Sequence, residues 1–364
     1  MTKLHELAAL GQAAWFDYIR RSFITSGELQ ELVEQGIRGV TSNPAIFEKA
    51  IAGSSDYDED MKKLIKQGKS VDEIYESLAM DDIGRAADIL LPVYKESNGD
   101  DGYVSLEVSP DLANDTEESI IEARRLFNSL ARPNIMIKIP ATPAGIPVVK
   151  ALISEGINVN VTLIFSLEHY EEVAHAYISG LEKRLSTGED LGRVASVASF
   201  FVSRVDTAVD DKLAAMGRTD LLGRIAVDNA RLAYARYTEI FSGGRWQKLA
   251  EAGAHVQRPL WASTGTKNPG YPATLYVDTL IGPDTVNTIP PATLDAFMKH
   301  GTIARTVDSD LDGARSRIAA LAGLGIDLQA VTTKLQDDGV VAFAKPFASL
   351  MQSIAAKRQQ LLNN

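Results

Sequence analysis

IMIKIPAT, residues 135–142, sets one lysine in the middle of an apolar run bounded by turn residues. Read as a strand, the run sends Ile135, Ile137 and Ile139 to one face and Met136 and Lys138 to the other. Lysine is among the side chains least often buried, so a strand that points one inward needs a reason. Seven other short stretches share this period-2 pattern: AAWFD (13–17), RGVTS (38–42), YVSLEV (103–108), INVNVTLIF (157–165), VASVAS (194–199), PLWAS (259–263) and TVNTI (285–289). Most are separated by stretches of helical period. Eight strands alternating with helices predict an α/β fold, a single (β/α)8 barrel. The alternative, an open doubly wound sheet of the dinucleotide-binding kind, lacks its G-x-G-x-x-G turn after the first strand.

With 364 residues and 45% apolar side chains, the chain has enough material for one such barrel or for two ordinary domains. No repeat, low-complexity tract or Pro/Ser-rich linker divides it, so one domain spanning residues 1–364 is expected. Material beyond a minimal barrel falls in two places: a helical insertion at 44–102, after strand 2, and C-terminal helices at 301–364, expected to pack on the barrel. There are no cysteines, which excludes disulfides, thiolate catalysis and cysteine-ligated metal. The net charge of −11 disfavours nucleic acid or an anionic membrane as partner. No run approaches the roughly 18 to 20 uninterrupted apolar residues of a membrane span, and the N-terminal stretch carries acids where a signal peptide is apolar. A cytoplasmic location is therefore expected. The five histidines are scattered and the Asp308/Asp310/Asp312 run lacks the closing glutamate of a calcium loop, so no metal is expected.

Alternation puts Ser105 and Glu107 inside on the third strand, Trp15 together with Asp17 on the first, and Asn158, Asn160 and Thr162 together on the fifth. Asp, Glu, Lys and Asn/Thr thus collect near the C-terminal ends of four strands, where barrels of this kind carry their active sites. An ordinary lysine has a pKa near 10.4, but low-dielectric surroundings disfavour its charged form and free the amine for attack on a carbonyl. The product is a Schiff base, whose iminium withdraws electrons when an adjacent carbon–carbon bond breaks. Glu107 and Asp17 would divide the proton transfers that this chemistry needs, without metal or other cofactor. Blander roles fit the same residues: a buried Lys138–Glu107 ion pair, Asp17 paired with Arg20 or Arg21, Asn43 capping the helix that Pro44 opens, Asn160 bonded to Thr162, and Phe201 as plain core.

The blocks WFDYIRR, GVTSNPAIF, VSLEVSP, IMIKIPAT, INVNVTLIFS, SFFVSR, WASTGTKNPGYP and GPDTVNTIPPATL, over most of residues 11–298, resemble the longer bacterial branch of the transaldolase family. The resemblance implies a class I aldolase-type barrel of the pentose phosphate pathway. It would move a dihydroxyacetone unit from a ketose phosphate (sedoheptulose 7-phosphate or fructose 6-phosphate) to an aldose phosphate (glyceraldehyde 3-phosphate or erythrose 4-phosphate). It implies Lys138 as the imine-forming residue, Glu107 as proton shuttle, Asp17 as the group that assists cleavage, and Thr162 with Asn160 orienting the intermediate and a catalytic water. Asn43 would hold the transferred hydroxyls, Phe201 would line the site, and Arg204 and Ser263 would hold the phosphate. Shorter transaldolases follow that serine closely with an arginine; here Thr264, Gly265 and Thr266 intervene before Lys267, which is expected to take the role. Partners are then sugar phosphates, and the state a monomer or homodimer. Two other outcomes stay open to the same residues: an aldolase of the fructose 6-phosphate or deoxyribose-phosphate type, or a non-catalytic sugar-phosphate-binding barrel.

Overall fold

Strands rich in β-branched and aromatic residues, apolar on the outer face, suit a parallel sheet covered by helices. In the computed structural model, which describes residues 2–362, eight of them close into that barrel. They are β1 (Gln12–Phe16), β2 (Gly39–Thr41), β3 (Tyr103–Glu107), β4 (Ile135–Pro140), β5 (Val159–Ile164), β6 (Ser196–Phe201), β7 (Arg258–Ala262) and β8 (Thr285–Ile289). Spatial order follows chain order, and β1 pairs β8 in parallel to shut the cylinder. The expected (β/α)8 architecture is the one observed.

Boundaries moved most in β6, which starts and ends two residues later than the VASVAS reading. Val194 is held in a turn by the Leu191 carbonyl, while Phe200 and Phe201 continue the ladder opposite Trp261 and Ala262. Strand β5 is shorter than its apolar run, and its register with β6 slips between Val161 and Ile164. Leu163, at the slip, has φ +62°, a conformation that side-chain-bearing residues seldom adopt. Such irregularities re-aim side chains, and this one lies beside Thr162 at the barrel mouth.

The barrel's N-terminal end is plugged. Trp15 points inward and donates from Nε1 to Asp101 at 3.2 Å, and Arg258 Nη2 donates to the same carboxylate at 2.9 Å. Gly39 on β2 makes room for the indole, because a Cβ there would lie 2.5 Å from the Trp15 ring. The other end carries the loops and the open cavity.

Between β2 and β3 the chain forms three helices, Pro44–Ala52, Asp58–Lys66 and Val71–Glu96. Two arginines just after β1 tie them down. Arg20 Nε bonds Asp56 at 2.7 Å; Arg21, itself buried, reaches Asp60, Asp81 and Asp82, and Tyr57 donates to Asp82 at 2.8 Å. Burial pushes the Asp82 carboxyl up, against the opposing pull of Arg21. Both arginines are thereby spent on the inserted helices, so neither neutralises Asp17.

After β6, the helix Ser203–Ala215 is held by Asp206, which accepts from Ala226 N and Tyr276 OH, each at 2.8 Å. Burial pushes the Asp206 carboxyl up to about 7. The aspartates of the calcium-like run are spent on arginines: Asp308 on Arg305, Asp310 on Arg317 and Asp312 on Arg315.

The helix Leu311–Gly323 then leads to a 35-residue helix, Leu328–Leu362, that lies across the barrel mouth. By length and composition alone this last helix would suit a bilayer span. One of its stripes is instead spent on the barrel and on the inserted helices. Gln336 Nε2 donates to the carbonyls of Ala141 and Leu163, at 2.7 and 3.2 Å, and Lys357 Nζ donates to the Ser54 carbonyl at 2.6 Å.

Two predictions test this framework. Asp82→Ala should lower unfolding stability by about 3–5 kcal/mol, since it leaves the buried Arg21 without its buried partner. Asp81→Ala, on the solvent side of the same arginine, should cost under about 1 kcal/mol, and urea titration separates the two. For Asp206 the folded carboxyl keeps its proton to a higher pH than the unfolded one. Stability should therefore fall as pH rises from about 4 through 7, and Asp206→Asn should flatten that part of the stability–pH curve.

Candidate active site

Register, more than any single motif, assembles the site. Glu107 pairs with Lys138 across β3 and β4, and Lys138 with Asn160 across β4 and β5, so three polar side chains stand abreast on the inner face. Lys138 is 6% exposed. Its Nζ donates to the Ser42 carbonyl at 3.1 Å and stands 3.4 Å from Glu107 Oε2. Burial raises the Glu107 carboxyl above its ordinary value, with Lys138 pulling it back and Asp17 adding to the rise. Asp17 is likewise raised by burial, against a 2.7 Å hydrogen bond from Thr41 Oγ1 and the charges of Lys138 and Lys267. Two carboxyl groups with upward-shifted proton affinity thus flank one amine, an arrangement suited to passing protons.

Of the ten residues singled out from sequence, all but Glu107 line one cavity of about 140 Å3 at the C-terminal ends of the strands: Asp17, Asn43, Lys138, Asn160, Thr162, Phe201, Arg204, Ser263 and Lys267. Glu107 forms the adjoining wall. Behind it, on the β2–β3 side, lies a larger cavity of about 380 Å3 that also touches Asn43. Its walls carry Asp72, Glu76, Asp111 and Glu122, with only Arg125 to offset them, and Arg125 is bound to Glu76. That surface repels anions, so the smaller cavity is the better match for a phosphorylated ligand.

Several of the blander roles can now be judged. Asn43 does cap the helix Pro44–Ala52: its Oδ1 accepts from Ile46 N at 3.0 Å. The cap uses only the oxygen, leaving the amide NH2 on the cavity wall as a donor. Asn160 and Thr162 do not bond each other. Asn160 donates to Ser105 Oγ at 3.0 Å and accepts from Ser199 Oγ at 2.6 Å, which locks its amide on the barrel axis. The Thr162 hydroxyl is buried and has no hydrogen-bond partner among the described residues. An unmade bond of that kind costs about 1–3 kcal/mol, and a ligand hydroxyl in the cavity could satisfy it.

At the opposite rim, Arg204 opens the helix Ser203–Ala215, and no carboxylate pairs with it among the described residues. Burial lowers its proton affinity, the mark of a guanidinium that has lost water without gaining a counter-ion. Its guanidinium carbon lies 5.2 Å from the Phe201 ring centroid, so Phe201 props the cation as well as lining the cavity. Ser263 Oγ meets Ser203 Oγ at 2.9 Å, and Lys267 completes the rim. Two cations, two hydroxyls and a helix N-terminus converge here, a fit for phosphate in a chain that is acidic overall.

Sequence reasoning passed over four contributors. Thr41 and Thr288 share a 2.6 Å hydrogen bond and orient Asp17. Ser199 was within reach of the alternation rule once β6 was placed correctly. Phe343, on the C-terminal helix, had no local signal at all.

Comparison with known proteins matches the family described as Transaldolase/Fructose-6-phosphate aldolase over residues 14–354. Among curated relatives, the chain is 48% identical to "Transaldolase 2" of Nostoc punctiforme and 50% identical to "Transaldolase" of Thermobifida fusca, in each case over 97% of both chains. It is 45% identical to "Transaldolase" of Neisseria gonorrhoeae, over 96% of this chain and 99% of the other.

The rim geometry predicts that inorganic phosphate binds and that Arg204→Ala weakens it by about tenfold or more, the worth of one charge-assisted bond. Isothermal titration reads this directly, and an unchanged Kd would remove Arg204 from the anion site.

Proposed function

The chain belongs to the Transaldolase/Fructose-6-phosphate aldolase family and carries transaldolase function, as a transferase of the aldolase class acting on sugar phosphates; on that premise we propose how its side chains divide the work. The observation that carries the reading is one buried amine between a backbone carbonyl and a carboxyl that burial has made more basic.

Glu107 takes the lysine's proton, and the free amine of Lys138 adds to the C2 carbonyl of a ketose phosphate. The same carboxyl, through water ordered by Thr162, returns a proton to the carbinolamine oxygen so that water leaves and the iminium forms. Asp17 then removes the proton from the C4 hydroxyl. The C3–C4 bond breaks, its electrons flow into the iminium, and the aldehyde half departs with its phosphate. A three-carbon enamine stays bonded to Lys138 until a second aldehyde takes it and the steps run backwards.

The site's layout supports this order. The phosphate anchors follow β6 and β7, across the barrel from Asn43 on the β2 side. A ketose bonded to Lys138 on β4 can therefore direct its phosphate to Arg204, Ser263 and Lys267 and its C1 hydroxyl towards Asn43. The phosphate leaves with the aldehyde, so one anion site serves donor and acceptor in turn. We take the donors to be sedoheptulose 7-phosphate and fructose 6-phosphate, the acceptors to be glyceraldehyde 3-phosphate and erythrose 4-phosphate, and the setting to be cytoplasmic. The acidic surface charge favours such free metabolites over nucleic acid or membrane.

With fructose 6-phosphate and erythrose 4-phosphate together, a coupled assay should show turnover that requires both. Glu107→Gln should lower kcat by roughly 10²- to 10⁴-fold with little change in KM, the pattern of a lost proton relay. A Glu107→Gln enzyme with near-normal kcat would remove that carboxyl from the chemistry.

A further inference from the structure

The cavity wall is built from the barrel strands and the segments that directly follow them, including Arg204 at the start of the helix after β6, with one exception among the described residues: Phe343, from the distant helix Leu328–Leu362. Its ring centroid is 5.5 Å from Lys138 Nζ, within cation–π range, and the ring borders both the 140 Å3 cavity and a small apolar recess beside Glu107, Pro140 and Leu163. The ring is held there by its own helix face. Gln336, Gly339, Val340, Phe343 and Phe347 fall at i, i+3, i+4, i+7 and i+11, one stripe.

Each member of that stripe is spent on the mouth or on the inserted helices beside it. Gln336 is buried and bonds the carbonyls at the ends of β4 and β5. Gly339 lets the helix approach closely, since a Cβ there would lie 3.0 Å from Leu163 Cδ2 and 3.7 Å from Arg204 Nη1. Val340 lines the recess, and Phe347 packs edge-on against Tyr75 at 5.5 Å. A helix outside the barrel thus delivers one aromatic face to the reacting amine.

We propose that Phe343 is a specificity-determining residue of the active site, one that decides whether the tethered three-carbon unit passes to an aldehyde or is lost to water. The proposal rests on the imine reading of Lys138. Loss to water would run as follows: the enamine takes a proton at C3 to give the iminium, water adds at C2, the C2–N bond breaks, and the nitrogen regains a proton. The products are free dihydroxyacetone and the free lysine, with no net oxidation. A ring over the nitrogen occupies the volume that water needs on that face. A substrate aldehyde, held by the phosphate rim on the β6–β7 side, arrives from a direction that the ring leaves open.

The test measures product share, a ratio that does not depend on how much enzyme is folded. Wild type, F343A and F343V are each supplied with fructose 6-phosphate and a limiting amount of erythrose 4-phosphate, and free dihydroxyacetone is counted against sedoheptulose 7-phosphate. The dihydroxyacetone share should rise by roughly tenfold in F343A, which opens that face of the tethered unit to water, and by less in F343V, which opens less of it. Should F343A fail to fold, F343V against wild type still reads the effect. An unchanged share in the folded variants overturns the role of Phe343. Absence of sedoheptulose 7-phosphate from the wild-type reaction would instead overturn the functional reading beneath it.

Discussion

A primary amine in a low-dielectric place is expensive, and the architecture of this barrel follows from accommodating one. Lys138 spends its hydrogen bonds on the Ser42 carbonyl and on Glu107. The neighbouring strands supply the rest of a polar column, with Asn160 locked between Ser105 and Ser199, and Thr41 between Asp17 and Thr288. A buried pair of this kind contributes little to stability compared with apolar packing, because desolvation takes back most of the Coulomb gain. On the proposed reading its retention makes sense as function: a carboxyl that burial has made more basic sits 3.4 Å from the amine that would act as nucleophile.

The same logic explains the division of charge around the mouth. Arg20 and Arg21 are close to Asp17 in sequence, yet both are consumed by the aspartates of the inserted helices. Asp17 thereby keeps a raised proton affinity instead of being clamped as a permanent anion. Across the barrel, Arg204 and Lys267 are left without carboxylate partners among the described residues, and the larger acidic cavity beyond Glu107 repels what those cations attract. On the proposed reading, this division of charge draws phosphate to one side of the lysine and keeps it from the other.

Much of this was legible in the chain because period-2 alternation is a strong local signal. Knowing that Lys138 and Glu107 face inward needs only the strand and its direction. The strand ends were harder to read. The lead-in residues Val194 and Ala195 are as apolar as the strand that follows, and nothing local marks where the ladder begins. Asn43 shows a different limit: its capping and lining roles are not alternatives, since its side-chain oxygen caps the helix while the residue also lines the cavity. Phe343 was out of reach altogether. It lies some 200 residues from Lys138 in a helix whose composition reads as generic amphipathic surface, and only the docking by Gln336 and Gly339 brings the ring to the amine.

The central claim is that Lys138 bonds covalently to the ketose. The most direct measurement is borohydride reduction in the presence of fructose 6-phosphate, followed by peptide mass mapping. The account predicts one stable adduct of a three-carbon or whole-sugar unit, on the peptide that spans residues 135–142 and on Lys138 within it. An enzyme that turns over the ketose yet yields no adduct, or one carried by another lysine, would contradict it.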